Sequence, residues 1–510
     1  MEHVEKPDHS RDWKIASIRK KLTAATQEIL VAKQHVVDLE EQAARIKEDL
    51  NSLSAAIMCL PPEILIEIFL LLCEGRPMDD MDDLESFCSQ YPPQFRIGAV
   101  CRTWRRIAWG TSRMWRMIVI SFLSKKIQSQ SRLLQEWIQR SGTSLLDIYL
   151  FSEDLREADR DHYGLPFYQP PRETLNVICA AKDRWRSLHS PAFIHLQHHL
   201  GSGCATSLHE LRLSNPDGEC YDLDNITVPW DLRGSLHLKK LNLNMIDTTE
   251  LEINWKSLTH LNLYICSGGY QHFLKELSAL ESFVVFHEDL DDNEDPLSFN
   301  QTGTFHTLPN LTRLSLRELG AKTTANLLSY LTAPKLKDVS LSPQRIDDPM
   351  QWMQTIIQFI TRSSCPLENM DVYKIPAAGV AALVEHIRTV TRFSAQSFSS
   401  SFEPIPHPDA LLDTFNISRH RKCLPELEEL ILKGNFSEDI DTLLEMIKSR
   451  VQPPPSEDDQ PQVKKIRKID ITYEHTLNLG PSKLESFYDE VSSLSASTST
   501  LITVTFDDRY

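Results

Sequence analysis

The sequence predicts an α/β chain in three parts: a long N-terminal helix, a small all-α domain of three helices, and an irregular β–α solenoid of horseshoe form. Three observations predict it. Apolar residues recur at heptad spacing over 11–58, two short and unusually apolar blocks follow within 59–120, and a six-residue pattern, apolar-x-x-apolar-x-apolar, returns ten times between 140 and 510.

The long helix is read from Ile15, Ile18, Leu22, Ala25, Ile29, Ala32, Val36, Leu39, Ala43, Ile46, Leu50, Leu53 and Ile57. Their alternating steps of three and four are the a and d positions of a coiled coil. Lysine, arginine and glutamate fill many positions between, and no proline or glycine interrupts. Two arrangements satisfy the pattern. One is a coiled coil, most simply a homodimer through 11–58, and the other is an amphipathic helix lying on its own protein. The alanines at 25, 32 and 43 keep the seam thin.

The small all-α domain is anchored by "CLPPEILIEIFLLL" (59–72). Pro61 and Pro62 suit a first helical turn, where a missing N–H costs little, and Glu63 favours the positive end of the helix dipole. Ile64, Leu65, Ile68, Phe69 and Leu72 make one stripe by spacing, while Ile66, Leu70 and Leu71 put apolar surface on the other side. An acidic, proline-flanked loop at 74–93 leads to "FRIGAVCRTWRRIAWGTSRMWRMIVI". So small a unit buries only about 60% of its unfolded surface, and large exposed apolar patches mark protein interfaces. A partner chain is therefore expected to cover the second face. Arg102, Arg105, Arg106, Arg113 and Arg116 would complement an acidic rim on it.

Leu60-Pro61-Pro62-Glu63-Ile64-Leu65, Ile68-Phe69, the run Val100 to Ala108 and then Trp115 together resemble an F-box in order and spacing, with a long acidic insertion after the first helix. The resemblance covers about a tenth of the chain. Heptads running straight into such a motif also resemble F-box proteins of mushroom-forming fungi. The resemblance implies a substrate-receptor subunit of an SCF-type ubiquitin ligase, with a Skp-type adaptor bridging to a cullin and a RING subunit. It implies adaptor docking by Leu60, Pro61, Ile64, Leu65, Ile68, Phe69, Val100, Cys101, Trp104, Ile107 and Trp115, or their support of that surface. A scaffold acting outside any cullin ligase is the rival reading.

The solenoid is read from "LLDIYL" (145–150), "LHELRL", "LKKLNL", "LTHLNL", "LESFVV", "LTRLSL", "LKDVSL", "LENMDV", "LEELIL" and "IRKIDI" (466–471), with degenerate copies near Trp185 and Phe393. Helix-like segments such as "TTANLLSYLTAP" and "EDIDTLLEMIKSR" lie between. Strand then helix at these intervals is the signature of a leucine-rich-repeat solenoid, and "STLITVTFDD" (499–508) reads as its closing strand. Acidic or proline-rich surface loops are expected at 287–304 and 451–463. Strand side chains alternate with period two. The residues between the core positions, such as Asn262, Val284, Ser315, Ser340 and Asp371, therefore point to the concave solvent face. Tyr264, Phe286, Arg317 and Tyr373 follow one position on. Asn262, Tyr264, Val284, Phe286, Arg313, Arg317, Asp371 and Tyr373 are the substrate-contact candidates, because tyrosine and arginine are enriched at binding hot spots. Arg313 and Arg317 would suit an acidic or phosphorylated segment.

The remaining composition points away from other classes. A formal charge of −17 argues against nucleic acid, which needs a concentrated positive surface. Ten cysteines without a C-x-x-C pair argue for scattered thiols in a reducing compartment. The charged start and the lack of a long apolar run argue for a protein of the cytoplasm or nucleus, away from the membrane. His195 and His199 stand at i, i+4 without further ligands, and Cys101 sits among arginines as a packing residue. No phosphate loop, metalloprotease motif or nucleophile elbow occurs, so a non-catalytic chain without cofactor is expected.

Overall fold

In the computed structural model, residues 9–54, 56–73, 92–121, 127–151, 172–190, 205–214, 230–266, 271–286, 305–344, 349–373, 377–384, 386–396, 409–420, 423–434, 440–453, 463–473 and 481–506 are described. The expected loop at 287–304, most of those at 74–93 and 451–463, and His195 and His199 lie outside them. The chain divides into two compact units, 1–117 with 137–144, and 118–136 with 145–510.

The first unit opens with helix α1, His9–Ser54. A short 3₁₀ turn, Ala56–Cys59, leads to α2, Pro62–Cys73. The Pro61 carbonyl accepts from the N–H groups of Ile64 and Leu65, so Pro62 takes the first helical position, where no donor is needed. Helix α3, Pro93–Val100, also starts on a proline and stops where Cys101 turns extended. Helix α4, Arg102–Gly110, begins there, its first turn capped by Cys101 Sγ accepting from Trp104 N at 3.4 Å. A Cβ on Gly98 would enter the ring of Trp109, so glycine is what lets α3 and α4 meet. Phe95, Trp109, Trp115 and Trp137 pack edge to face with centroids 5.5–5.9 Å apart, the geometry that ring quadrupoles favour. Trp115 Nε1 donates to the Ala108 carbonyl at 2.8 Å, and the Arg140 guanidinium lies over Trp109 and Trp115.

The second unit is a repeat solenoid. Fourteen strands, among the described residues, form one sheet in chain order, and the described pairings in it are parallel from Leu146–Phe151 to Leu501–Phe506. The apolar-x-x-apolar-x-apolar copies after the first, whose Leu145 is exposed, behave alike. The first residue of each, such as Leu238, Leu258 or Leu311, is buried just before the strand, and the next two are buried within it, as Leu241 and Leu243 are. Leu241, Leu261, Phe283, Leu314, Val339 and Met370 stand in register across neighbouring strands. Each such burial stabilises by roughly 1.5–3 kcal/mol. One step before each strand a second ladder runs unbroken. Thr259 N donates to Lys239 O, Glu281 N to Thr259 O, Thr312 N to Glu281 O, and so on to Arg467 N and Glu428 O, all at 2.7–2.8 Å.

Behind the sheet lie Ala321–Tyr330, Pro349–Ser363, Ala377–Val384, Asp409–Phe415, Ile440–Val451 and Pro481–Thr498. An adjacent Arg and Ser fasten two of these helices to the preceding repeat. Arg362 donates to the carbonyls of Leu328 and Leu331 while Ser363 Oγ accepts from Ala333 N. Arg450 donates to those of Phe415, Leu424 and Cys423 while Ser449 Oγ accepts from Ile417 N. Arg450 is only 1% exposed. Burial pulls its pKa down to about 10, which leaves it a cation at neutral pH.

Two sequence boundaries need correction. Residues Met117–Ser121, at the end of the span assigned to the helical domain (59–120), form the first strand of the sheet. Ile118 and Ile120 are buried on one side of it, a two-residue alternation that overrides its position next to the helices. The helix Ile127–Arg140 also precedes the expected start at 140. The two short strand pairs, Trp230–Leu232 with Leu251–Ile253 and His306–Thr307 with Leu331–Thr332, carry too few residues to show a period.

Arg450→Met removes the charge-assisted donors to the carbonyls of Phe415, Cys423 and Leu424, of which Leu424 O keeps its bond from Leu427 N. It should cost the second unit about 2–4 kcal/mol, read as a lower urea midpoint at unchanged secondary structure in water.

Candidate interaction surfaces

In the first unit the side chains of α2 sort by angle, at about 100° per residue. Leu65, Phe69, Leu70 and Cys73 turn inward and are buried with Ile97, Ala108, Met114 and Trp115. Ile64, Leu71 and Leu72 turn outward, 48%, 74% and 59% exposed, with half-buried Ile68 between them in angle. Val100, at the end of α3, is 59% exposed. One short helix thus carries an apolar face for its own core and a second apolar face for solvent. The division differs from the one expected by spacing. Leu65 and Phe69 belong to the buried side, and Leu71 joins the open side, because α3 and α4 approach from one direction only.

The expected docking residues separate accordingly. Ile64, Ile68 and Val100 reach the surface; Pro61 is exposed, and Leu60 and Ile107 are partly buried against the core. Leu65, Phe69 and Trp115 are interior and can act only as support. Cys101 is a helix cap. The Trp104 ring lies tilted against Phe69 with centroids 4.7 Å apart, and its buried Nε1 has no acceptor among the described residues. Of the arginines, Arg113 pairs with Glu67 at 3.2 Å and Arg105 donates to the Gly98 carbonyl, so part of that charge braces the fold.

In the second unit the open side of the sheet is built of three rows set by register. The first joins Lys240, His260, Ser282, Arg313, Asp338 and Asn369. The middle one joins Asn242, Asn262, Val284, Ser315, Ser340 and Asp371. The third joins Asn244, Tyr264, Phe286, Arg317, Ser342 and Tyr373. All eight substrate-contact candidates fall on this face. Ser315 and Ser340 are on it but buried, small side chains sunk among longer neighbours. Tyr264 and Phe286 meet at 6.3 Å, and the Arg317 guanidinium reaches the Tyr373 ring at 5.9 Å across the intervening strand. Arg313 and Arg317 form no ion pair among the described residues, and the middle of this face sets them and Asp338 and Asp371 among aromatic rings.

The first repeats hold a polar cluster that residue types alone did not single out. Asp147 is held by the Arg186 fork and by Ser187 Oγ. Burial works against ionisation of Glu210, but His189 and Arg212 prevail and hold its carboxyl at about 2. Burial lowers the His189 pKa and raises that of Tyr149, whose ring lies 4.4 Å away. Asp147 and Tyr149 were legible as the intervening residues of "LLDIYL"; His189 lies in a degenerate copy that gave no such signal.

No protein-family model matches this chain, and no curated protein does. Among solved structures it is similar to an internalin (inlF) from Listeria monocytogenes str. 4b F2365, with 14% identity over 64% of this chain and 88% of that one and a TM-score of 0.28. The repeat architecture rests on the strand order and register above. Among the described residues no helix is long and apolar enough to cross a membrane, and no group of three or more His, Cys, Asp or Glu could hold a metal ion.

The two faces of α2 should respond oppositely to substitution. Phe69→Ala should cost the first unit about 3–5 kcal/mol, whereas Ile64→Asp should stay within about 0.5 kcal/mol of the parent. Urea unfolding followed by tryptophan emission measures both, and an equal loss would make the outward face part of the core.

Proposed function

We propose that this chain is the substrate-receptor subunit of an SCF-type ubiquitin ligase, itself without catalytic chemistry. The observation that carries the reading is the second apolar face of α2. Ile64, Ile68, Leu71 and Leu72 sit in the segment whose order and spacing resemble an F-box; Ile64, Leu71 and Leu72 are exposed and Ile68 is half-buried. A Skp-type adaptor is the partner that such a segment docks, and the surrounding arginines would complement an acidic rim on it. The adaptor would in turn connect the chain to a cullin and a RING subunit. The repeat unit would hold the substrate protein on the open face of its sheet, around Tyr264, Phe286, Arg317 and Tyr373.

Burying two aliphatic side chains is worth about 3–6 kcal/mol. Ile64→Asp with Leu71→Asp should therefore weaken capture of a purified Skp-type adaptor by about 100-fold or more, measured by calorimetry on the full chain. Wild-type affinity in that variant would overturn the docking assignment. Capture of the adaptor without cullin would favour the scaffold reading instead.

Tyr264→Ala, Phe286→Ala and Arg317→Ala together should lose the substrate while leaving adaptor binding intact. Quantitative mass spectrometry of the variant's partners checks this, and an unchanged partner set would move the substrate site off the open face.

A further inference from the structure

The last strand of the sheet, Leu501–Phe506, has an open edge. It pairs with Lys468–Tyr473 on one side, and no described strand lies on the other. Leu501 N donates to the Arg467 carbonyl at 2.9 Å. By the alternation of a parallel ladder, Thr503 and Thr505 turn their backbone groups the same way, and Ile502, Val504 and Phe506 turn theirs outward. The side chains are open as well. In the preceding strand Ile469, Ile471 and Tyr473 are fully buried on the core side, whereas Ile502 and Phe506 are only half-buried and Tyr488, set against Phe506, is 37% exposed. Native sheets blunt such an edge with lysine, proline or a bulge. The segment "LITVTF" carries no charge and no proline, and its pairing runs without a register shift.

We infer that this edge is covered by the same edge of a second copy, antiparallel and centred on Val504. The strand is complementary to itself in that register. Val504 faces its own copy and Ile502 faces the partner's Phe506, so every outward residue of the strand exchanges both of its backbone hydrogen bonds. The side chains agree. On the core side isoleucine meets an aromatic ring, and on the open side Thr503 meets the partner's Thr505; both are stabilising cross-strand pairs. The other registers are poorer. A slide of two residues one way sets Phe506 against the partner's Thr500, whose carbonyl already accepts from Ser495 Oγ at 2.7 Å and which follows a left-handed Ser499. The same slide the other way sets Ile502 against the partner's Asp508, past the end of the strand. Larger even slides pair fewer residues, and odd ones set outward backbone groups against inward ones. A parallel copy would turn its open side to the core side of the first.

The twofold axis of this pair runs through the sheet, so the open sides of both copies fall on one side and join into one surface. A ligand that carries the recognised feature twice gains avidity there without any new contact. The pairing uses neither α2 nor a ligase subunit and is tested without them.

The test uses the full chain carrying Leu22→Lys and Ile29→Lys, exposed positions of α1, to suppress association through that helix. Sedimentation at tens of micromolar should give twice the chain mass. Val504→Pro removes an outward N–H and spares the inward ladder. Thr503→Lys with Thr505→Lys, at two exposed positions, sets like charges across the pair. Each change should raise the dissociation constant by about 10-fold or more at unchanged circular dichroism. Mixing the lysine chain with a Thr503→Glu, Thr505→Glu chain should restore the pair as a heterodimer. On mild oxidation, Thr503→Cys and Thr505→Cys chains should cross-link above the parent's baseline when mixed and stay at it when separate, because residue 503 meets 505 and not itself. A monomer, a larger species, or a dimer that both the proline and the two lysines leave unaffected would overturn the proposal. So would cross-linking above baseline in either cysteine chain alone.

Discussion

Residue-for-residue parallel pairing is the constraint on which the second unit depends. Once Leu241 stands beside Leu261 and Leu261 beside Phe283, period two puts every intervening residue on the opposite side. The same register that stacks the core therefore also aligns Tyr264, Phe286 and Arg317 into one row. A slip by one residue would exchange core and surface in every later strand. The backbone ladder before the strands, from His209 to Arg467, holds against that slip in every repeat, whatever the side chains are.

Because no repeat can bury its own face, the seams between repeats decide where the array is firm. Most are closed by leucine against leucine. Two are closed by an arginine fork, half-buried Arg362 and fully buried Arg450, each donating to carbonyls of a preceding helix and turn. An unpaired buried charge is costly. At Arg450 the charge is offset by donation to three carbonyls at once.

The first unit follows a different economy. Its core is small, and aromatic rings set edge to face, with Gly98 admitting Trp109, supply much of it. That core has room for one side of α2 only. The other side, and the described seam residues of α1, are apolar and exposed. These are two distinct apolar surfaces exposed among the described residues.

The sequence by itself determined the elements and their faces wherever a period was long enough to register. The α1 heptads, the ten repeat strands and the helices at 349–363, 440–451 and 481–498 follow from spacing alone, because helix and strand impose 3.6 and 2.0 on any buried side. The row of Tyr264, Phe286, Arg317 and Tyr373 was legible for the same reason. Tertiary structure decided what spacing leaves open. Isoleucine and leucine occur on every side of α2, so only the approach of α3 and α4 could assign Leu65 and Phe69 to the core and leave Ile64 and Leu71 outside. Met117–Ser121 is five residues long, and only its place beside Leu146–Phe151 makes it a strand of the sheet. Arg450 carries no sequence signal for burial; three carbonyls, brought together from 26 to 35 residues away, exist as a site only once the chain has folded.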